Sequence, residues 1–431
     1  MNAPEQTPLE TDQPTGPRDR PFEPFRVAQS SNAKALVGDV LNQLGHFEHH
    51  HGLRQRKRRA VDQETFDYTV EVVISDLVHR ALTEPEGWIA VTQSNQQLGR
   101  RDRYRSRAMS KQLVTVLKYL ARPEMEFAEI VPGYQTPFAE NRQTTMRAGA
   151  RLLSRIRERE LGLDDLCLDA SEEVIILKRS KTDHWDEGER TQYEDDARTT
   201  RYRDELKRIN EWIEQADIEF DPYGDTRAQF DTSARRLRRY FNNSSFEEGG
   251  RLFGGFWLHL PKELRRHIHI EGCRAVTLDY SQMAPRILYG LAHVPYPDSD
   301  AYTLEGLEDY RPGFKKVFGA LLYTTKPLTR FPKDVPSLFP PRTSVHEVVQ
   351  ALQAKHATVS HLFGVGIGFK VFYVESCILV DVLLALMEDG IVGLPIHDAV
   401  VVPGNRREEA KQIMLDVFKR HTGIDGVVEE D

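Results

Sequence analysis

The stretch Leu394-Pro395-Ile396-His397-Asp398-Ala399-Val400-Val401-Val402 constrains this chain more than any other. Its apolar arms are rich in strand formers, so it reads as a buried hairpin with a histidine and an aspartate at the tip. Aspartate is common in tight turns, and a turn alone would account for the pair. A second run of strand formers, Ala275, Val276 and Thr277, ends in Leu278-Asp279-Tyr280-Ser281-Gln282-Met283 and leads into a helical pattern at Ile287, Leu288 and Leu291. Taken alone, Asp279 reads equally as a helix cap. Taken with Asp398 it offers more. Two carboxylates on adjacent strand ends would complete a site for two hard cations about 3.5 to 4 Å apart.

Between these segments lie Arg311, Lys315 and Tyr323. On a helix, positions separated by about 4, 8 and 12 stay near one face, so both cations and the phenol point the same way. By itself this is an amphipathic surface helix. Upstream stand Gly250-Arg251-Leu252 and then Leu258-His259-Leu260-Pro261.

In chain order the four segments resemble the motifs of family A nucleic-acid polymerases, over about residues 245 to 431, and the ordered set is far more specific than any member. The resemblance implies an α+β fold: a palm of antiparallel strands with helices and small fingers. Asp279 and Asp398 would bind two magnesium ions, for which manganese could substitute. Arg311 and Lys315 would neutralise the triphosphate, with Lys315 placed to protonate the leaving group. Tyr323, Tyr280 and Ala284 would border the nucleotide, and Arg251, His397, Arg286 and Gln282 the primer or template.

The chain also departs from the family. Ala284 and Ala399 replace glutamates, Gly319 replaces an aromatic, and Thr324 follows Tyr323 where glycine is usual. The expectation is a DNA-directed DNA polymerase with relaxed sugar selection, working on DNA primer-template and nucleoside triphosphates. RNA and a replication accessory protein are further candidate partners. An RNA polymerase or primase-like enzyme, and an initiator-like DNA-binding protein with an inactive palm, are the alternatives.

The 431 residues suit two or three domains. Residues 1–30 hold six prolines and almost no apolar periodicity, and read as a disordered tail. Phe66, Val70, Val73, Leu77 and Leu82 mark a helix ending near Pro85; Trp88 to Val91 reads as a strand. Ser110 caps a second helix through Leu113, Val116, Leu117 and Leu120, and Phe127 to Val131 runs into the turn Pro132-Gly133. This order over residues 60–157 resembles a winged-helix domain of plasmid replication initiators. The boundaries read as 31–180 for that domain, 181–203 for a polar linker and 204–431 for the polymerase-like part. Within the last, 204–250 is a reduced thumb, with helices from Asp204 and around Arg235 to Tyr240, and 251–431 is palm and fingers.

The net charge of −8 gives no global case for a polyanion partner, so any nucleic-acid surface must be local. Arginines cluster at 54–59, 100–107 and 235–239. Each run is also explicable as a solvated face. Arg101, Arg103 and Arg105, just before the second helix, are placed to meet phosphates. His46 and His49 to His51 read as a solvated stretch rather than a metal site. The three cysteines lack paired spacing, the start lacks a signal-peptide pattern, and the longest apolar stretch, Ile378 to Met387, is interrupted by Asp381. A cytoplasmic protein without a membrane span is expected.

Overall fold

A computed structural model describes residues 19–134, 142–181, 186, 188–222 and 230–430. The chain divides into two compact units, Met1–Glu172 and Glu173–Asp431.

The first unit begins with β1 (Arg20–Pro21), β2 (Arg26–Ala28), α1 (Ser31–His50) and α2 (Ala60–Thr83). It continues through β3 (Ile89–Val91), α3 (Asn95–Leu98), α4 (Lys111–Leu120), β4 (Ala128–Val131), β5 (Thr144–Ala148), α5 (Ala150–Glu158) and β6 (Leu166–Leu168). Val70, Val73, Ile74 and Leu77 of α2 pack against Leu113, Val116, Leu117 and Leu120 of α4 in a single core. Ser110 caps α4 by accepting from the Gln112 N–H. The sheet runs β1-β3-β5-β4, with β5 antiparallel to both β3 and β4. Strand β3, helices α3 and α4, and the β4–β5 pair follow one another along the chain.

The tail expected over residues 1–30 is corrected in part; residues 1–18 lie outside the described residues. Residues 20 and 21 add a parallel strand to β3, and β2 pairs with β6. The cause is the buried carboxylate of Asp76 in α2, which accepts from Arg20 at 2.7 Å and Arg26 at 3.2 Å. A charge so buried needs paired donors, and the tail supplies them.

The second unit opens with β7 (Ile175–Leu177), α6 (Ala197–Gln215), β8 (Ile218–Phe220), β9 (Arg238–Phe241), β10 (Gly249–Phe253), α7 (Lys262–Arg265) and β11 (Ile268–Ile270). Then come β12 (Cys273–Tyr280), α8 (Met283–Leu291), α9 (Arg311–Tyr323), α10 (Val345–Lys355), α11 (Gly368–Glu388), β13 (Leu394–Ile396), β14 (Ala399–Pro403), α12 (Arg407–Thr422) and β15 (Val428–Glu430). One sheet runs β13-β14-β12-β11-β8, with β15 alongside β12; a smaller one runs β10-β9-β7. Helix α11 is apolar on most sides because its Val371, Ile378, Leu379, Val382 and Leu386 are buried in the core.

Two expectations change here. The division falls at 172/173 rather than in the 181–203 stretch, because β7 pairs in parallel with β9. Helix α6 starts at Ala197, capped by Asp196, instead of near Asp204; residues 182–185 and 187 lie outside the described residues. The arginine run expected as a thumb helix is a loop leading into β9. Its alternate residues Arg239 and Phe241 turn inward, and Arg239 donates to Gly250 O at 3.1 Å and Ser376 Oγ at 3.1 Å. Arg235 donates to Ala216 O and Ile218 O, and Arg236 pairs with Glu214. These guanidinium groups are committed to internal acceptors and do not form a nucleic-acid face. Among the described residues, no helix is long and apolar enough to cross a membrane.

Candidate functional site

Register brings the two aspartates together. Strand β12 runs antiparallel to β14 with Leu278 opposite Val400 and Asp279 opposite Ala399. Strands β13 and β14 close on Ile396 opposite Ala399, which leaves His397 and Asp398 as a two-residue turn. Such turns favour positive φ, and His397 has φ 55°. The Tyr280 N–H donates to Asp398 O at 3.2 Å, so the carboxylates of Asp279 and Asp398 arise from the ends of neighbouring strands.

On the other side of β12, Glu429 of β15 stands opposite Asp279. Directly opposed residues present their side chains on one face, so Glu429 is a third acid at this strand end. Its strand is one valine and two glutamates, and nothing in the local spacing names β12 as the partner. Among the described residues, no three His, Cys, Asp or Glu side chains converge to hold a metal ion, the histidines of α1 included. Asp279 and Asp398 nonetheless fit magnesium, which takes one or two carboxylates and fills the rest of its shell with water and substrate phosphate.

Helix α9 buries Phe314, Val317, Phe318, Leu321 and Leu322. Lys315 and Tyr323 are exposed on its other side, and Arg311 is partly so. Arg311 donates from Nε at 3.2 Å and Nη2 at 2.7 Å to Asp300 Oδ2. The Tyr302 ring lies beneath both cations, its centroid 5.4 Å from Arg311 and 6.0 Å from Lys315. Burial opposes ionisation of Asp300, but hydrogen bonds from Arg311, the Tyr302 N–H and Thr303 outweigh it and hold its carboxyl below the usual range. The segment is stapled on both flanks. Gln282 Oε1 accepts from the Ala301 N–H at 2.6 Å, and His356 Nε2 lies 2.8 Å from Ala301 O. His356 is buried, which lowers its pKa.

Tyr323 leaves 37% of its surface exposed while its ring packs on Phe369 and Phe372. Burial pushes its phenol up, so it stays neutral. Gly368 makes room: a Cβ there would fall 2.6 Å from the ring. Phe372 also stacks under the Arg251 guanidinium at 3.5 Å, and Arg251 Nε donates to Glu375 Oε1 at 2.7 Å. Glu375 is 3% exposed, and burial raises its pKa against the opposing charge of Arg251. Burial, with the nearby charge of Arg251, lowers the pKa of His397 despite Asp398.

One sequence-derived assignment is revised, and three other residues carry internal contacts. Tyr280, expected beside the nucleotide, is 3% exposed; its hydroxyl donates to Met414 O at 2.6 Å and its ring packs on Phe418. Gln282 and Arg286, expected at primer or template, make internal contacts. Gln282 staples the 296–301 segment, and Arg286 donates to Asp425 O at 2.8 Å beneath Tyr296, at the edge of a cleft of about 470 Å³. In the first unit, Arg105 Nε donates to Met109 O at 3.2 Å, so its guanidinium braces the loop; neighbouring Arg107 lies over the Tyr68 ring. Arg101 is exposed and Arg103 half-buried. Ala284 is half-buried in the first turn of α8.

Asp300, Glu375 and Glu429 were not foreseen. Only Glu375 carried a local signal, an acid on an apolar helix. Breaking its pair should be costly: Arg251→Ala is expected to lose about 3 kcal/mol at neutral pH by stranding a buried charge. Because the folded state raises this carboxyl, the stability it contributes is present below the ordinary carboxylate range and is lost as pH rises through the raised value. Thermal melts should therefore show a larger deficit for the variant at pH 8 than at pH 5, and an equal deficit would contradict the pairing.

The fold and site define an α+β protein whose second unit sets strand-end carboxylates in one unit with a cation-bearing helix. No family model matches the chain, and no curated protein is similar to it. Among solved structures it is similar to the POL domain of Pol1 from M. smegmatis, in complex with DNA primer-template and dNTP. The identity is 12% and the TM-score 0.23, over 94% of this chain and 66% of that one. At that TM-score the overlap does not define a shared fold.

Proposed function

We propose that the second unit is a template-directed nucleotidyltransferase of family A type that extends a nucleic-acid primer. The observation that carries this is the β12–β14 register, which sets Asp279 and Asp398 on neighbouring strand ends. Bound by these carboxylates, magnesium supplies activation of the primer 3′-hydroxyl and neutralisation of the triphosphate. Arg311, pre-oriented by Asp300, meets the triphosphate with the guanidinium edge that Asp300 does not use. The 3′-oxygen forms a bond to the α-phosphorus as the bond to pyrophosphate breaks. Lys315 gives its proton to that leaving group. Tyr323 bounds the pocket, and Arg251, locked by Glu375 and Phe372, faces the primer end. His397, kept neutral, lies at the turn beside Asp398. The first unit, with its winged-helix order of elements, binds duplex DNA.

The sugar preference turns on Ala284. Related DNA polymerases hold a glutamate at this place that crowds a 2′-hydroxyl, whereas alanine leaves the space open. The wild type is expected to use both deoxy- and ribonucleotides. Ala284→Glu should cut ribonucleotide use more than deoxynucleotide use, about tenfold for each 1.4 kcal/mol of clash. Extension of a labelled primer with each nucleotide class separately, and a primer-free template in parallel, tests the reading. Strong ribonucleotide rejection by the wild type would place the sugar gate elsewhere. Synthesis without a primer would favour the primase-like alternative.

A further inference from the structure

The loop between α1 and α2 carries the densest exposed charge of the first unit. Arg58 is held on the inside, paired with the buried Glu48 and stacked on the Phe66 ring at 3.6 Å. With that anchor fixed, Arg54, Arg56, Lys57 and Arg59 all face solvent; Arg54 Nε donates to Arg56 O within the loop at 3.4 Å, and none of the four has an acidic partner in a described ion pair.

This loop runs beside α4. At the start of that helix, Gln112 Nε2 donates to Asp62 O at the head of α2, three residues after Arg59. At its end, the Tyr119 ring lies 5.6 Å from that of Phe47, and the charges of Glu48, Arg58, Arg54 and Arg122 act on its phenol. Helix α4 buries Leu113, Val116, Leu117 and Leu120 and exposes Lys111 and Lys118 on the other side. The loop and the open face of α4 thus make one basic surface, joined at both ends of the helix.

We infer that this surface, and not the 100–107 arginine run, is the main phosphate-binding face for duplex DNA. The proposal rests on the reading that the first unit binds DNA, and it names the face. Two observations select duplex DNA. The solvent side of α4, with Lys111 and Lys118 exposed, fits the width of the major groove, and the arginines of the loop beside it reach the adjoining phosphates. In the other run, Arg105 is half-buried with Nε on Met109 O, and the Arg107 guanidinium lies over the Tyr68 ring. Leu53 and Val61, exposed near the loop, make anionic membrane the competing partner.

The test uses the full chain and a fluorescent dumbbell duplex, closed at both ends so that no primer terminus is present. Anisotropy titrations across a salt series compare the wild type, a triple Arg54→Gln, Arg56→Gln, Arg59→Gln variant, and Arg100→Gln with Arg101→Gln. Each lost phosphate contact removes about 0.9 from the slope of log K against log salt. The loop variant should lose about 2.7 and the other variant less than half as much, while the melting temperature of the loop variant stays at the wild-type value. Equal losses, or an unchanged slope in the loop variant, would overturn the assignment. Absence of dumbbell binding by the wild type would instead overturn the DNA-binding reading beneath it. Binding to phosphatidylserine vesicles without binding to the dumbbell would give the face to a membrane. Arg58→Gln, which frees the anchor, should lower the melting temperature and duplex affinity together.

Discussion

Replacing Asp279 or Asp398 with alanine is expected to lower nucleotide addition by at least about a thousandfold. Cation-mediated charge stabilisation supplies several kcal/mol at the transition state, and about 1.4 kcal/mol is tenfold in rate. The two carboxylates come from neighbouring strand ends, so either loss opens the shared site. Duplex binding through the first unit should be nearly unchanged, because its phosphate contacts are independent of the cations. Both side chains are only partly buried, and neither substitution should unfold the ladder. Rapid-quench measurements on a matched primer-template read the rate. Substantial extension by either variant would remove the two-carboxylate assignment.

The next largest effect belongs to Lys315. Its ammonium is exposed near the Tyr302 ring and has no acidic partner in a described ion pair, so it is available to the leaving pyrophosphate. Lys315→Ala should lower kcat by about 10² to 10³, the range for removing one preorganised charge-stabilising group. Its melting temperature should match the wild type, since surface changes are usually within about 0.5 kcal/mol. Arg311→Ala should act differently. Arg311 is already oriented by Asp300, so its loss should raise the nucleotide KM about tenfold with a smaller change in kcat. A Lys315 variant with normal kcat would transfer the proton role to another group.

Much of this site was legible because its parts are local. The strand formers before Asp279 and around Asp398 carry their own period, and the spacing of Arg311, Lys315 and Tyr323 needs only one helix. What the sequence hid depends on pairings distant along the chain. Glu429 reaches Asp279 through a strand at the far end of the chain. Arg239 looked like part of a basic helix, but acceptors on Gly250 and Ser376 draw it inward and make the segment a strand. Tyr280 and Gln282 belong to a motif read as bordering the nucleotide and the primer or template. Burial against Phe418 and the demand of the Ala301 N–H for an acceptor take them into the frame instead. The same logic reorders the arginine runs. Density of charge was visible, but only the structure distinguishes guanidinium groups with internal acceptors from those facing water.

The most direct test of the central claim is single-nucleotide extension by the wild-type chain with magnesium. Four templates, differing only in the base beyond the primer end, are each offered one deoxynucleotide at a time. The account predicts addition of the complementary nucleotide on each template, at a rate well above the other three, and loss of all four reactions when magnesium is chelated. Addition that ignores the template base, or persists without a divalent cation, would contradict it.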